Sequence, residues 1–263
     1  MILEDFHVHS TYCDGKNTLE ETVRAAIDLK MTRIGFSGHA YTSFDDTYCM
    51  TLDDTQKYFA EIEELKEKYR DKIQILCGLE MDYFSDTPHI KTDYLIGSVH
   101  YLKQGEIYCE IDRSEENMCS DVERFYGGDF YAYAEAYFAL VGDVIKKTNG
   151  DIIGHFDLIT KYNEGNKLFD TSNPRYVAAA KSAIDKLLTF GKPFEINTGA
   201  ISRGYRTEAY PEIQFLKYIK EKDGSVILSG DTHAAENLCF RFDEYERIAK
   251  EMGFEDLFFQ LNK

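Results

Sequence analysis

Residues 2–15 read ILEDFHVHSTYCDG, a short apolar segment that ends in two histidines. His7 and His9 are two positions apart, so on a β-strand both side chains point to the same side. Both imidazoles can then face one metal ion. The residues that follow, TLEETVRAAIDLKM, have the spacing of an amphipathic helix. The start of the chain therefore predicts a strand, a histidine pair at its carboxyl end and a helix.

The same alternation continues along the chain. Six further segments have strand character and are, in order, RIGFSGH, IQILCGLE, YLIGSVH, DIIGHF, PFEIN and SVILSG. Helical patterns lie between most of them or follow the last, and they read DDTQKYFAEIEELKEKYR, FYAYAEAYFALVGDVIKK, PRYVAAAKSAIDKLLTF, PEIQFLKYIKE and FDEYERIAKEM. Strands that alternate with helices indicate a parallel sheet with helical crossovers. We predict seven strands.

Local signals support several of these helices. Thr18 and Glu21 have the spacing of a capping box, and Pro174 and Pro211 stand where a first helical turn should begin. Only the stretch of about 103–128 lacks a clear period, and we expect an irregular loop insertion there over one face. No repeat or linker divides the sequence, so we predict a single domain, 1–263.

Composition limits the function classes. The 263 residues are 43% hydrophobic and include 18 Phe and 19 Tyr, enough for a large core. A formal net charge of -17 argues against nucleic acid as a partner, because binding to phosphate backbones depends on Lys and Arg. The start, MILEDFHVHS, lacks the features of a signal peptide, and no apolar run could cross a membrane, so we expect a cytoplasmic protein. The six cysteines show no CxxC spacing and are expected to be reduced.

Residues that can bind metal ions recur where the predicted strands end. In barrels of parallel strands the active site lies at the carboxyl ends, so such residues converge in space. A lone histidine is more often a hydrogen-bonded structural residue than a ligand. Six of the seven histidines occupy these positions, however, and only His89 does not. The candidate ligands are His7, His9, Asp14, His39, Glu80, His100, His155, Asp231 and His233.

The donor types limit the choice of metal. Imidazole and carboxylate without thiolate suit zinc, manganese or iron, and the sequence leaves these three open. A purely structural zinc site needs about four ligands and often uses cysteine. Nine nitrogen and oxygen donors instead indicate an open cluster that can accept a substrate.

Several motifs occur in the order of a known family. HVHSTYCDG, SGHA, GLEMDY, GSVH, GHFD and SGDTH resemble the motifs of the polymerase and histidinol phosphatase (PHP) superfamily. The resemblance implies a distorted (β/α)7 barrel with three divalent metal ions at the carboxyl ends of its strands. GHFDLITKYN and EINTGAISRGY are most similar to the histidinol-phosphatase branch. That branch hydrolyses L-histidinol phosphate to L-histidinol and phosphate in histidine biosynthesis.

The resemblance also implies how the nine donors are shared among three ions. The first ion would be held by His7, His9, Glu80 and Asp231. The second would be held by Glu80, as a bridging ligand, with His100 and His155. The third would be held by Asp14, His39 and His233. Asp14 departs from the family pattern, in which histidine stands at this point.

The reaction implied is attack of a metal-activated hydroxide on phosphorus, without a covalent phosphoenzyme. Asp231 or His233 would act as general acid for the departing alkoxide, and the residues leave this choice open. Lys161, Arg203 and Arg206 follow strand-end motifs and could bind phosphate oxygens, Arg by a bidentate fork. Surface solvation is the alternative role of these cations.

The amine and imidazole of histidinol phosphate call for carboxylate and aromatic partners. Asp112, Glu115 and Glu116 could supply the carboxylate. Tyr41 and Tyr101 directly follow metal-site segments and could contact the ring, although aromatic side chains more often pack in the core.

Three alternative functions remain open at this point. A phosphoesterase of the same superfamily could act on a nucleotide, a sugar phosphate or a phosphotyrosine. Amidohydrolases also use an HxH strand in a barrel, but they usually have a carboxylated lysine where this chain has Glu80. A metal-binding domain without catalysis could serve as an interaction module.

Overall fold

The computed structural model describes residues 3–86 and 91–260. His89, the histidine that does not follow a predicted strand, lies outside the described residues. Within the described ranges, no helix is both long and apolar enough to span a membrane.

Nine strands are present in the two described ranges. In chain order they are β1 Glu4–Asp5, β2 Arg33–Phe36, β3 Gln74–Asp82, β4 Tyr94–Ser98, β5 Tyr101–Gln104, β6 Ile107–Glu110, β7 Ile152–Ile153, β8 Phe194–Asn197 and β9 Val226–Ser229. Seven of them form one sheet in the order β1-β2-β3-β4-β7-β8-β9, in which every neighbouring pair is parallel. These seven correspond to the seven predicted segments.

The first and last strands of this sheet meet just beyond β1 and β9. Val8 forms a parallel bridge with Thr232. The His9 backbone N–H donates to the Thr232 carbonyl at 2.9 Å, and the Thr232 N–H donates to the His7 carbonyl at 2.8 Å. The sheet is therefore a nearly closed, distorted (β/α)7 barrel, and the predicted fold is confirmed.

The helices surround this barrel. Their bounds are α1 Leu19–Asp28, α2 Leu52–Tyr69, α3 Glu115–Tyr126, α4 Phe130–Val141, α5 Val144–Thr148, α6 Pro174–Leu188, α7 Gly199–Ser202, α8 Ile213–Glu221 and α9 Phe242–Glu251. The capping box of Thr18 and Glu21 and the position of Pro174 in the first turn of α6 are confirmed. The prediction for Pro211 was wrong by a short margin, because Glu212 is the N-cap and α8 begins at Ile213.

The expected loop insertion at 103–128 is also corrected. Its first part is the strand β6, which pairs with β5 as an antiparallel hairpin that turns at Gly105, where φ is +62°. Its second part is α3, which buries Met118 and Val122 one turn apart and is capped by the Ser114 side chain. The helical spacing of these two apolar residues was the signal that the sequence reading missed.

The predicted helix FYAYAEAYFALVGDVIKK divides into two. Helix α4 ends at Val141, and α5 begins at Val144 after Gly142 and Asp143. Glycine lowers helix stability because its unfolded backbone has more freedom to lose, which makes a break at Gly142 inexpensive.

Tyr94 fills the inside of the barrel beneath the carboxyl ends of the strands. Its ring is fully enclosed, and its hydroxyl lies 2.6 Å from the Phe6 carbonyl oxygen and 3.1 Å from the Phe36 carbonyl oxygen. A Cβ at Gly35 or Gly78 would lie 2.5 Å from an atom of Tyr94, so both positions need glycine. Tyr94 therefore holds two strands together one residue before the histidine pair begins.

We expect Tyr94→Phe to lower the free energy of unfolding by about 1–3 kcal/mol, because a buried carbonyl loses its donor while the ring packing stays. Urea denaturation monitored by circular dichroism measures this change. Tyr218→Phe is the matched control, since its hydroxyl contacts Asp185 at 3.0 Å on the surface. Equal unfolding midpoints for Tyr94→Phe and the wild type would contradict this role of Tyr94.

Candidate metal centre

The nine predicted ligands lie together at the carboxyl ends of the barrel strands. Glu80 is part of β3, and the others occupy the segments that follow β1, β2, β4, β7 and β9. Seven of the nine are buried, His233 is half-buried, and Asp14, in the loop before α1, is exposed. Parallel strands place all their carboxyl ends at one rim, which brings residues from distant parts of the sequence into one site.

Glu80 is at the centre of this group. Its Oε2 lies 3.1 Å from His7 Nε2, 3.6 Å from His9 Nε2 and 3.0 Å from His39 Nδ1. Its Oε1 faces the other side, 2.9 Å from His155 Nε2 and 3.4 Å from His100 Nε2. One carboxylate therefore separates two sets of imidazoles, as a bridging ligand would.

Asp231 completes the first set. Its Oδ1 lies 3.4 Å from His9 Nε2 and 3.8 Å from His7 Nε2. Two ligands bonded to one ion at about 2.0–2.2 Å are expected to be separated by roughly 3–4 Å. Among the described residues, His7 Nε2, His9 Nε2 and Glu80 Oε2 are buried without a hydrogen-bond partner. This combination of spacing and unused lone pairs fits a metal site.

Asp14 gathers a further set at the outer edge. Its Oδ2 lies 3.0 Å from His233 Nε2 and 3.6 Å from His39 Nε2, and its Oδ1 lies 3.4 Å from His9 Nδ1. In both His39 and His9, one ring nitrogen thus faces Asp14 and the other faces Glu80.

Among the residues that the structure describes, three groups of ligand atoms lie close enough to hold an ion, with the atoms of each group within 4.8 Å of one another. They differ from the predicted ligand sets in detail. His9 joins the group of Asp14, and His39 joins Glu80 and His100, whereas His155 and Asp231 are outside these groups. The groups are His7 with His9 and Glu80; His39 with Glu80 and His100; and His9 with Asp14, His39 and His233.

A cavity opens directly above these donors. Besides seven of the nine candidate ligands, its walls are formed by Asp112, Leu158, Lys161, Arg203 and Tyr205. Two cations and one carboxylate therefore face the space in which a substrate would lie.

The PHP domain family matches residues 5–199, which is more than half of the chain. The chain belongs to the PHP domain family. A Bacillus subtilis histidinol-phosphatase is 26% identical and aligns over 92% of this chain and 97% of its own length.

Two solved structures share the fold of this PHP protein. The HisK protein of Listeria monocytogenes has a TM-score of 0.80 at 21% identity, over 92% of this chain and 99% of that one. The histidinol phosphate phosphatase of Lactococcus lactis, in complex with zinc, L-histidinol and phosphate, has a TM-score of 0.69 at 22% identity, over 97% of this chain and 95% of that one.

The carboxylates control the charge of the centre. Burial raises the pKa of Glu80, but the imidazoles of His7 and His39 outweigh this and hold it well below its usual range. Burial lowers the pKa of His39, but Glu80 and Asp14 raise it to about 9. The ionised carboxylates thus stabilise positive charge beside them. When metal ions are absent, this charge is carried by protons on the imidazoles. Metal ions can replace these protons, so binding should release protons and strengthen as pH rises.

Asp231 or His233 was predicted to be the general acid. Burial raises the pKa of Asp231, but nearby Arg203 holds it well below its usual range. Burial lowers the pKa of His233 to about 4, with His9 and Arg203 acting in the same direction. Near neutral pH, Asp231 is therefore an ionised carboxylate and His233 a neutral imidazole in this geometry, which favours metal ligation over proton donation. Their role as general acid stays a prediction.

Arg203 and Lys161 both line the cavity. Arg203 Nη2 lies 3.0 Å from Asp231 Oδ2, and its Nη1 lies 2.6 Å from His233 Nδ1. Lys161 Nζ lies 2.9 Å from Asp112 Oδ2 and also donates to the Asp112 carbonyl at 2.9 Å. Lys161 is thus largely neutralised by its neighbour, while Arg203 contacts the ligands themselves.

Arg206, predicted to bind substrate, does not line the cavity. Its Nη1 donates to the Thr160 carbonyl at 2.7 Å, and its other nitrogens lie 3.3 Å from Glu164 and 3.4 Å from Glu212. The guanidinium is buried and connects the segment of Lys161 to the segment of Arg206. Its contacts therefore stabilise the cavity walls without reaching the cavity.

Tyr41, Tyr101 and Glu115 are also absent from the cavity walls. Tyr101 is buried, and its hydroxyl donates to Asp45 at 2.9 Å. Glu115 lies in the first turn of α3 and pairs with Lys167. Contact of these three residues with the substrate stays a prediction.

Two carboxylates behind the ligands were not singled out from the sequence. Asp82 Oδ2 accepts from the His100 backbone N–H at 2.7 Å and lies 3.4 Å from His100 Nδ1. Glu195 Oε1 lies 2.8 Å from His7 Nδ1. The available signal was an acidic residue within an apolar strand, where an unpaired charge would be costly.

We expect the Glu80→Ala variant to lose most of its bound metal and most of its turnover, because each oxygen of the Glu80 carboxylate faces a different set of imidazoles. The loss of metal affinity should exceed the about 10–100-fold that loss of an outer partner costs. Elemental analysis after dialysis measures metal content, with thermal unfolding as a check on folding. Glu63→Ala, whose carboxylate is 67% exposed on α2, is the control. Normal metal content in folded Glu80→Ala would remove Glu80 from the bridging position.

Proposed function

We propose that this PHP protein is a histidinol-phosphatase that hydrolyses L-histidinol phosphate to L-histidinol and phosphate in histidine biosynthesis. The observation that carries the proposal is the cavity itself, with metal donors as its floor and with Arg203, Lys161 and Asp112 on its walls. The named activity of the Bacillus relative and the ligands of the Lactococcus structure support the same substrate. The substrate is a small metabolite, and a cytoplasmic location is part of the proposal.

We also propose three divalent ions of zinc, manganese or iron. Their ligands would be the nine donors, and the overlap of the three donor groups at His9, His39 and Glu80 supports a connected cluster. When bound, the ions would polarise the phosphoryl oxygens and activate water.

Arg203 is proposed to bind the phosphate and stabilise its developing charge. Its side chain is 24% exposed and lies at the cavity beside Asp231. The paired N–H groups of a guanidinium match two phosphate oxygens, which a lysine cannot do. Lys161 would make a weaker contribution, because Asp112 already satisfies part of its charge.

Asp112 is proposed to bind the substrate ammonium group. Burial raises the pKa of Asp112, but Lys161 and His100 lower it to about 2, so the carboxylate is ionised at neutral pH. Tyr205 lines the same cavity, and Lys161 Nζ lies 5.0 Å from its ring centroid. An imidazole could stack on this exposed ring. Asp112 and Tyr205 thus replace Glu115 and Tyr101 in the proposed recognition of substrate.

We expect the metal-loaded protein to hydrolyse L-histidinol phosphate with a higher kcat/KM than other phosphomonoesters. Buried polar partners left unpaired by a poor substrate can produce discrimination of about 10⁴. A panel of histidinol phosphate, a nucleotide, a sugar phosphate, a phosphotyrosine peptide and p-nitrophenyl phosphate measures the order. Preference for another ester would replace the substrate while retaining the phosphatase. No hydrolysis by metal-loaded protein would favour a binding module.

Two variants test recognition of the phosphate and of the ammonium group separately. Arg203→Ala should lower kcat on every ester by about 10²–10³, since one donor to the developing charge is lost. Asp112→Asn should raise KM for histidinol phosphate and leave p-nitrophenyl phosphate, which has no amine, nearly unchanged. Steady-state kinetics on both substrates test this, with bound metal measured in each variant. Equal losses on both substrates in Asp112→Asn would contradict ammonium binding by Asp112.

A further inference from the structure

Glu195 is a fully enclosed carboxylate on β8, beneath the metal donors. Its Oε1 accepts from His7 Nδ1 and from the Ser229 hydroxyl, each at 2.8 Å. Its Oε2 accepts from the His155 backbone N–H at 3.0 Å and from Asn197 Nδ2 at 3.2 Å. Four donors occupy both oxygens, so Glu195 has no oxygen turned toward an ion.

These contacts determine which nitrogen of His7 faces the cluster. A protonated carboxyl would place a donor among donors, so Glu195 is an ionised acceptor and Nδ1 of His7 carries hydrogen. The lone pair of a neutral His7 is then on Nε2, which lies 3.1 Å from Glu80 Oε2. Within the described chain, this Nε2 has no hydrogen-bond partner. The arrangement presents the nitrogen that a metal ion needs.

The same carboxylate reaches a second ligand on another strand. His155 follows β7, and its backbone N–H is held by Glu195 while its Nε2 lies 2.9 Å from Glu80 Oε1. His7 and His155 therefore face different oxygens of Glu80 and share Glu195 behind them. A shift of Glu195 would move ligands on both sides of the centre.

We propose that Glu195 is a positioning residue that sets the tautomer of His7 and links His7 to His155, raising the metal affinity of the centre. This inference rests on the metal-binding part of the proposed function. Outer carboxylates of this kind orient the imidazole and increase its basicity, and their loss costs about 10–100-fold in metal affinity.

Glu195→Gln tests the proposal at nearly constant volume. An amide can still accept from His7, but it has no charge and turns an N–H₂ group toward another donor. We expect zinc affinity, measured by competition with a chromophoric chelator, to fall by about 10–100-fold. Excess zinc should restore kcat toward the wild-type value, because no substrate contact is removed. A residue with only a structural role would not show this rescue.

Glu4→Gln is the matched control. Glu4 is also a buried glutamate, but it pairs with Arg33 and Thr32 at the opposite end of the barrel. Its variant should change stability and leave zinc affinity unchanged. If Glu195→Gln does not fold, Glu195→Asp keeps the charge but withdraws it by one methylene, and a loss of zinc affinity is again expected.

The outcomes are distinguishable. Wild-type zinc affinity in folded Glu195→Gln, or in Glu195→Asp where it replaces that variant, would overturn the positioning role and leave the proposed function intact. Failure of the wild type to bind zinc, manganese or iron would instead remove the metal centre from the proposed function. Neither result depends on which phosphate ester is the substrate.

Discussion

The arrangement of the centre depends on one buried carboxylate, Glu80, that faces five imidazoles from four segments of the chain. A charge with 1% exposure is costly to bury without compensation, and here the compensation must come from histidines with protons or from metal ions. The two oxygens of Glu80 point in different directions, so the histidines divide into two sets. The barrel places the segments after β1 and β2 on one side of this carboxylate and those after β4 and β7 on the other.

Support for the centre comes from layers beneath it. Glu195 and Asp82 hold the backs of His7 and His100, and both are themselves held by backbone N–H groups. Below them, Tyr94 contacts the carbonyl that precedes His7. Each layer restrains the rotamers of the one above, which is how a site keeps its geometry before ions bind.

The cavity above the centre is completed by the segment that joins the β5–β6 hairpin to α3. Asp112 comes from this segment and contacts Lys161, while Arg206 ties the Lys161 segment to the one that carries Arg203. The cationic and anionic walls are thus fixed relative to each other by contacts outside the metal centre. Under the proposed function, one barrel rim would hold the metal ions while the separate segment of Asp112 would contribute to specificity.

The sequence by itself determined the seven parallel strands, the barrel and the strand-end positions of all nine candidate ligands, because alternation and strand termini are local patterns. It could not reveal that Tyr101 turns into the core or that Glu195 reaches His7, 188 positions away. Nor could it group His39 with His100, since that depends on how the strands tilt and close. Contacts between distant segments are decided by packing, and only the tertiary structure contains that information.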